Sequence, residues 1–176
     1  MKEPETNSAN FERLLRTHQP FALAVALRIL RNRTGALEVV QDSFIRVWKN
    51  FERYDPQKPF TTWLYTIVVR CCYDRIKMER RRTALHRLMG GDTDDPEPQA
   101  DGNPATEFES KEAAERIVSL ARRLPPKQRM VFLLRDVEDC SMEKVAELVG
   151  ISVNSVKVNL FYARRAIRIA YEALEG

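Results

Sequence analysis

Two sets of side chains in this 176-residue chain are spaced for chemistry, and in both the chemistry is recognition of a polyanion rather than bond making. The first lies at residues 60–82, FTTWLYTIVVRCCYDRIKMERRR, which opens aromatic, continues apolar and closes basic. Arg70, Arg75, Lys77, Arg80, Arg81 and Arg82 fall mostly on one side of a helix, opposed only by Asp74 and Glu79. Like charges at helical neighbours cost about a few tenths of a kcal/mol per pair unless an anion relieves them. Nucleic acid is the first candidate for that anion, and a solvated helix end is the bland alternative. The second set lies near the end of the chain. Ser155, Asn159 and Tyr162 share an outward face flanked by Lys157, Arg164 and Arg165. Short polar side chains there reach base edges in a major groove while the long cations reach phosphates, the alternative being a charged surface helix.

Helices must position both sets. In the first run Leu64, Ile67 and Cys71, with Val68, Cys72 and Ile76 on the adjoining row, recur at steps of three and four and form a buried stripe. Upstream, residues 10–31 carry Phe11, Leu14, Leu15, Phe21, Val25, Ile29 and Leu30 in a helical pattern, with a break or kink expected at residues 17–19 because of Pro20. Residues 32–35 read as a turn. A helix then runs from Ala36 to about Phe51, with Leu37, Val40, Phe44, Val47 and Phe51 as its buried stripe and Glu38, Gln41, Asp42, Arg46 and Lys49 opposite. Pro56 and Pro59 make residues 51–62 a loop that delivers the chain to the basic helix.

After that helix the composition changes. Residues 90–105, GGDTDDPEPQADGNPA, hold paired glycines, three prolines and five acids with no large apolar side chain, so this stretch reads as a linker between two helical modules. In the second module Ile117, Leu120, Ala121 and Leu124 form a helix ended by Pro125 and Pro126, and Met130, Val131, Leu133 and Leu134 form another. Ser141 caps a short helix carrying Val145, Ala146 and Leu148, Gly150 stops it, and Ser152 caps a long last helix with Val156, Leu160, Ala163, Ile167, Ala170 and Leu174 buried. A small residue at 146, glycine at 150 and an apolar residue at 156 are what two helices crossing steeply over a tight turn require, so this is a helix-turn-helix.

Composition narrows the function. With 29 Lys+Arg against 25 Asp+Glu the balance is only mildly basic, so the location of charge matters more than its sum. From Arg70 to Arg87 seven basic residues face two acids, and Asp92, Asp94, Asp95, Glu97, Asp101, Glu107 and Glu109 then follow with no Lys or Arg among them. The start of the chain has no apolar segment behind a basic one, and no run approaches the roughly 20 apolar residues of a membrane span, so a cytoplasmic protein is expected. Cys71, Cys72 and Cys140 read as reduced thiols, and His18 and His86 are too isolated for a metal site. No metal, cofactor or small-molecule substrate is expected.

Three stretches in this order resemble the extracytoplasmic-function group of bacterial sigma factors: ALEVVQDSFIRVW at residues 36–48, the helix at 63–82, and LPPKQRMVFLLRDVEDCSMEKVAELVGISVNSVK at 124–157. The resemblance implies an all-α fold of two small domains, sigma region 2 at 8–87 and sigma region 4 at 111–176, joined by a flexible acidic linker at 88–110. It implies that Glu38, Gln41, Asp42, Arg46 and Trp48 grip core RNA polymerase, and that Lys58, Arg70, Tyr73, Asp74, Lys77, Arg80 and Arg81 act on the minus-ten element. It also implies that Ser152, Asn154, Ser155, Lys157, Asn159, Tyr162, Arg164 and Arg165 meet the minus-thirty-five element. Promoter DNA and core polymerase are then the partners, with an anti-sigma factor that would be the chain's sole tie to the inner membrane.

The chain departs from the group's pattern at Arg70, where Asn is frequent, at Asn159 and Tyr162, where Arg is common, and at Gly35, where Asp is usual. A relaxed linker of about 25 residues spans roughly 25 to 30 Å, against about 70 Å for two turns of duplex and about 80 Å for the linker fully extended. Both elements are therefore engaged only with the linker drawn out. An autonomous helix-turn-helix regulator is the alternative, but it leaves residues 36–48 and the basic helix without a purpose. A nucleic-acid enzyme would need clustered carboxylates in fixed geometry, and the acids here concentrate in the linker.

Overall fold

A computed structural model describes residues 4–89 and 108–175, with no strand among them. The linker expected at 88–110 lies almost wholly outside the described residues. The chain divides into two compact units, Met1–Met78 and Glu79–Gly176.

In the first unit α1 spans Pro4–Leu30, α2 Arg33–Lys49, a 3-10 turn Phe51–Arg53, and α3 begins at Phe60 and runs to Leu88, so the division between units falls inside α3. The expected break before Pro20 does not occur. Pro20 sits inside α1 on its exposed side, as does Arg16, the residue whose carbonyl a proline at 20 leaves without its helical donor, and the helix continues through it. The α1–α2 turn is shorter than expected. Arg31 takes φ 52°, and Asn32 caps α2 by accepting a hydrogen bond from the Gly35 amide at 3.3 Å.

Ala22, Val25, Ala26 and Ile29 of α1 are buried in this unit, as are Ala36, Val39, Val40, Phe44 and Val47 of α2. So are Phe60, Leu64, Val68, Val69, Cys71, Cys72 and Ile76 of α3. Each large aliphatic side chain so buried contributes roughly 1.5–3 kcal/mol before entropy is counted. The stripe on α2 is rotated from its expected place. Leu37 is 43% exposed, and its place on the packed face is taken by Ala36, Val39 and Ser43, whose hydroxyl donates to the Val39 carbonyl at 2.7 Å. On α3 Val69 is buried where Ile67 was expected, and Ile67 is half-buried.

In the second unit α4 spans Phe108–Ala121, α5 Pro126–Phe132, α6 Met142–Val149 and α7 Val153–Glu175. Pro126 opens α5 at its first turn, where the missing N–H costs nothing. Residues Leu133–Val137 widen into a π-turn, with the Glu138 amide donating to the Leu133 carbonyl at 2.9 Å. Ser141 accepts from the Lys144 amide at 3.1 Å, Gly150 stops α6 at φ 74°, and Ser152 accepts from the Ser155 amide at 3.2 Å. The turn between two helices is therefore specified at each end by local chemistry. On α4 Val118 is buried where Ile117 was expected, beside Leu120 and Ala121, and Leu174 is 63% exposed, since the α7 row outlasts its cover after Ile167 among the described residues.

Candidate functional site

On α2 the side chains opposite the core are linked to α3. Glu38 pairs with Arg75, which therefore turns toward α2 and away from the basic face on which it was expected. Arg46 Nη2 lies 3.0 Å from Asp74 Oδ2, and Lys77 Nζ lies 2.9 Å from Asp74 Oδ1. Burial raises the Asp74 pKa, but hydrogen bonds and charge from Lys77 and Arg46 outweigh it and hold the carboxyl below its usual range. A residue expected at polymerase and one expected at DNA thus share one carboxylate. Gln41 and Asp42 are exposed, and Trp48 is half-exposed with Phe11 set edge-on 4.7 Å away. Phe11, Leu15, Leu37, Ile45 and Trp48 line an apolar groove beside Gln41.

Behind this face Cys71 is buried, and burial pushes its thiol pKa up against hydrogen bonding with Ser43 and the charge of Arg46, so it remains a neutral core group. Among the described residues no cluster of three or more His, Cys, Asp or Glu has metal-binding geometry, and no helix is long and apolar enough to cross a membrane.

At the start of α3 an aromatic cluster fixes the preceding loop. Tyr54 stacks on Trp63 with centroids 5.2 Å apart and meets Phe60 edge-on at 5.5 Å, while Phe51 lies 6.0 Å from Tyr54. The Tyr54 hydroxyl donates to the Lys58 carbonyl at 2.8 Å, which pins the loop around exposed Lys58. Further along, Lys77 Nζ lies 4.5 Å from the centre of the Tyr73 ring, and Arg70, Arg80 and Arg81 are exposed. Tyr54 and Trp63 join the candidate residues on this geometry, and the recurrence of aromatic residues throughout residues 51–63 is their signal in the sequence.

On α7 the arrangement differs from expectation. Asn159 is part-buried, and its Nδ2 donates to the Ser155 carbonyl at 2.7 Å and to the Ser155 hydroxyl at 3.3 Å. Ser155 and Asn159 therefore flank the buried row of Val156, Leu160, Ala163 and Ile167 rather than opposing it. Arg164 is held by Asp136 through Nε at 2.8 Å and Nη2 at 2.7 Å, a fork that also raises its pKa. Ser152, Asn154, Lys157, Tyr162 and Arg165 are exposed.

Known proteins of similar sequence and shape bear on this arrangement. Residues 14–82 match the family model described as sigma-70 region 2, and residues 114–167 match sigma-70, region 4. The chain is 30% identical over 145 residues to the ECF RNA polymerase sigma factor SigW of Bacillus subtilis, covering 80% of this chain and 78% of that one. It is 24% identical over 169 residues to the RNA polymerase sigma factor SigV of the same organism, covering 96% and 95%. Among solved structures, the sigma factor RpoE in complex with the anti-sigma factor NepR, from Bartonella quintana, has a similar fold. Its TM-score is 0.62 at 19% identity, over 93% of this chain and 97% of that one.

Proposed function

The chain belongs to the ECF group of sigma-70 RNA polymerase sigma factors, and we propose that its two units divide promoter recognition between them. It is an initiation factor and not an enzyme: it binds core RNA polymerase and directs it to promoters. Residues 8–87 act as region 2 and residues 111–176 as region 4, with residues 88–110 joining them. One observation carries this reading above the others. A region 2 segment with an aromatic cluster ahead of a basic helix stands in the same chain as a region 4 segment with a capped helix-turn-helix. An autonomous regulator has use for the second segment alone.

The residue roles follow from what each side chain offers. Glu38, Gln41, Asp42, Arg46 and Trp48 present one face of α2 to polymerase, with Trp48 as the apolar anchor. Opening the minus-ten element requires taking a base out of the stack, which costs about a few kcal/mol and calls for stacking surfaces and backbone cations together. Tyr54 and Trp63 supply rings next to Lys58, while Tyr73, Lys77, Arg80 and Arg81 extend along α3. Arg70 offers a guanidinium fork to an acceptor edge, and Asp74 sets the reach of Arg46 and Lys77. On α7 Ser152, Asn154, Ser155, Lys157, Asn159, Tyr162 and Arg165 serve the minus-thirty-five duplex, and Arg164 reaches a phosphate only by leaving Asp136.

The chain works in the cytoplasm, and an anti-sigma factor is its natural antagonist. The complexes in which sigma factors of this fold are seen, RpoE with NepR among them, support that partner. Co-purification with core polymerase and titration of promoter duplex test the proposal together. The free chain should bind duplex weakly with a steep salt dependence and gain sequence preference as holoenzyme. Tight, sequence-specific binding by the free chain at physiological salt would establish the autonomous regulator instead.

A further inference from the structure

The side chain at the outermost line of α7 is apolar. At about 100° per residue, Val158 lies two steps, or roughly 200°, from Val156, which is fully buried. Val158 thus stands opposite the packed row and is 47% exposed, with exposed Asn154, Phe161, Tyr162 and Arg165 around it. A β-branched side chain held out to water in that position contributes nothing to the core. It lies in the second turn of a helix that follows a tight helix-turn-helix corner, the part of such a helix that enters the major groove.

We propose that Val158 reads the minus-thirty-five element by seating against the C5 methyl of a thymine. Valine has no donor or acceptor to offer a base edge, and thymine is the base that projects a methyl group into the major groove. Contact removes both apolar surfaces from water, whereas cytosine at the same place presents an amine that the contact would strip of its hydration. Lys157 and Arg165 beside it suit phosphates on either side of the groove, which favours DNA over an apolar protein surface as the occupant. The polar residue next in line, Asn159, has its amide donors engaged with Ser155, so the apolar contact is the more available source of specificity.

The inference rests on the reading of α7 as the upstream recognition helix, and the experiment separates the two. Holoenzyme assembled from this chain and core polymerase selects from promoters randomised over the minus-thirty-five element. Each thymine of the enriched sequence is then replaced by deoxyuridine, which removes the methyl alone. Wild type should initiate about fourfold less well at one such position, the worth of one buried methyl. Val158→Ala should initiate less well on the thymine promoter and be indifferent to deoxyuridine there, with the other thymines unaffected. A Val158→Ala variant that keeps the full response to deoxyuridine overturns the proposal. So does one that loses activity equally on all sequences or binds core poorly, since Val158 would then be a protein contact. Wild type that enriches minus-ten sequences but no upstream sequence refutes the role of α7 itself, and this inference with it.

Discussion

Asp74 is the residue on which the two proposed roles meet, because Arg46 and Lys77 approach its two oxygens from α2 and from α3 itself. The pairs are largely exposed, so their direct contribution to stability is small, of the order of 0–1 kcal/mol. The pH dependence is more telling. A carboxyl held below its usual 3.8 stabilises the fold above that value, and the stabilisation is lost as pH falls through the lower folded value. Asp74→Asn should therefore unfold at nearly the wild-type temperature at pH 7 and show a shallower loss of stability below about pH 4. Thermal unfolding across that range checks it, and an unchanged slope would remove Asp74 from the account. Arg70 carries a different prediction. Arg70→Asn should change base preference at one minus-ten position while leaving polymerase affinity and the minus-thirty-five preference alone, as read by transcription from a library randomised over the minus-ten element. A uniform fall over all sequences would reduce Arg70 to a phosphate contact.

Among the elements, the two glycines at helix ends make opposite predictions. A Cβ at Gly35 would meet Asn32 at 3.6 Å and Arg75 at 3.8 Å, ordinary contacts, in a helical position that does not need glycine. Gly35→Ala should stabilise the protein by about 0.4–1 kcal/mol by restricting the unfolded chain. Gly150 has open space around it but takes φ 74°, so Gly150→Ala should destabilise by about 1–2 kcal/mol through backbone strain alone. Denaturant unfolding of both variants checks the signs. The same contrast explains what could be read in advance. The ends of α6 and α7 were legible because Ser141, Gly150 and Ser152 declare them within a turn. The rotation of α2 was not, since periodicity gives spacing but leaves the choice between adjacent apolar rows open. Leu37 looked the stronger core residue, yet the smaller Ala36 and Ser43 are the ones fully buried, and Leu37 stands 43% exposed. On α7 the polar types of Ser155 and Asn159 suggested the outward face, whereas a local hydrogen bond to the backbone satisfies Asn159 at its flank. Pro20 misled because its solvent-facing place on α1 is a tertiary fact.

For the whole molecule the central claim is that one chain brings both the grip on polymerase and the reading of DNA. The α2 face can be removed without touching the core, because Gln41, Asp42 and Arg46 all lie off the buried stripe. Joint replacement of these three by Ala should leave helicity and the unfolding midpoint nearly unchanged while abolishing co-purification with core enzyme. Lost helicity would make that face structural. The region 2 and region 4 matches together leave residues 83–113 between them, so promoter spacing should matter as much as promoter sequence. The most direct measurement is run-off transcription by core polymerase on a promoter library, with and without this chain. The account predicts initiation at fixed start sites only when the chain is present, from templates sharing two elements at constant spacing. Equal, unselective transcription with and without it, while the chain binds one duplex element unaided, would contradict the account.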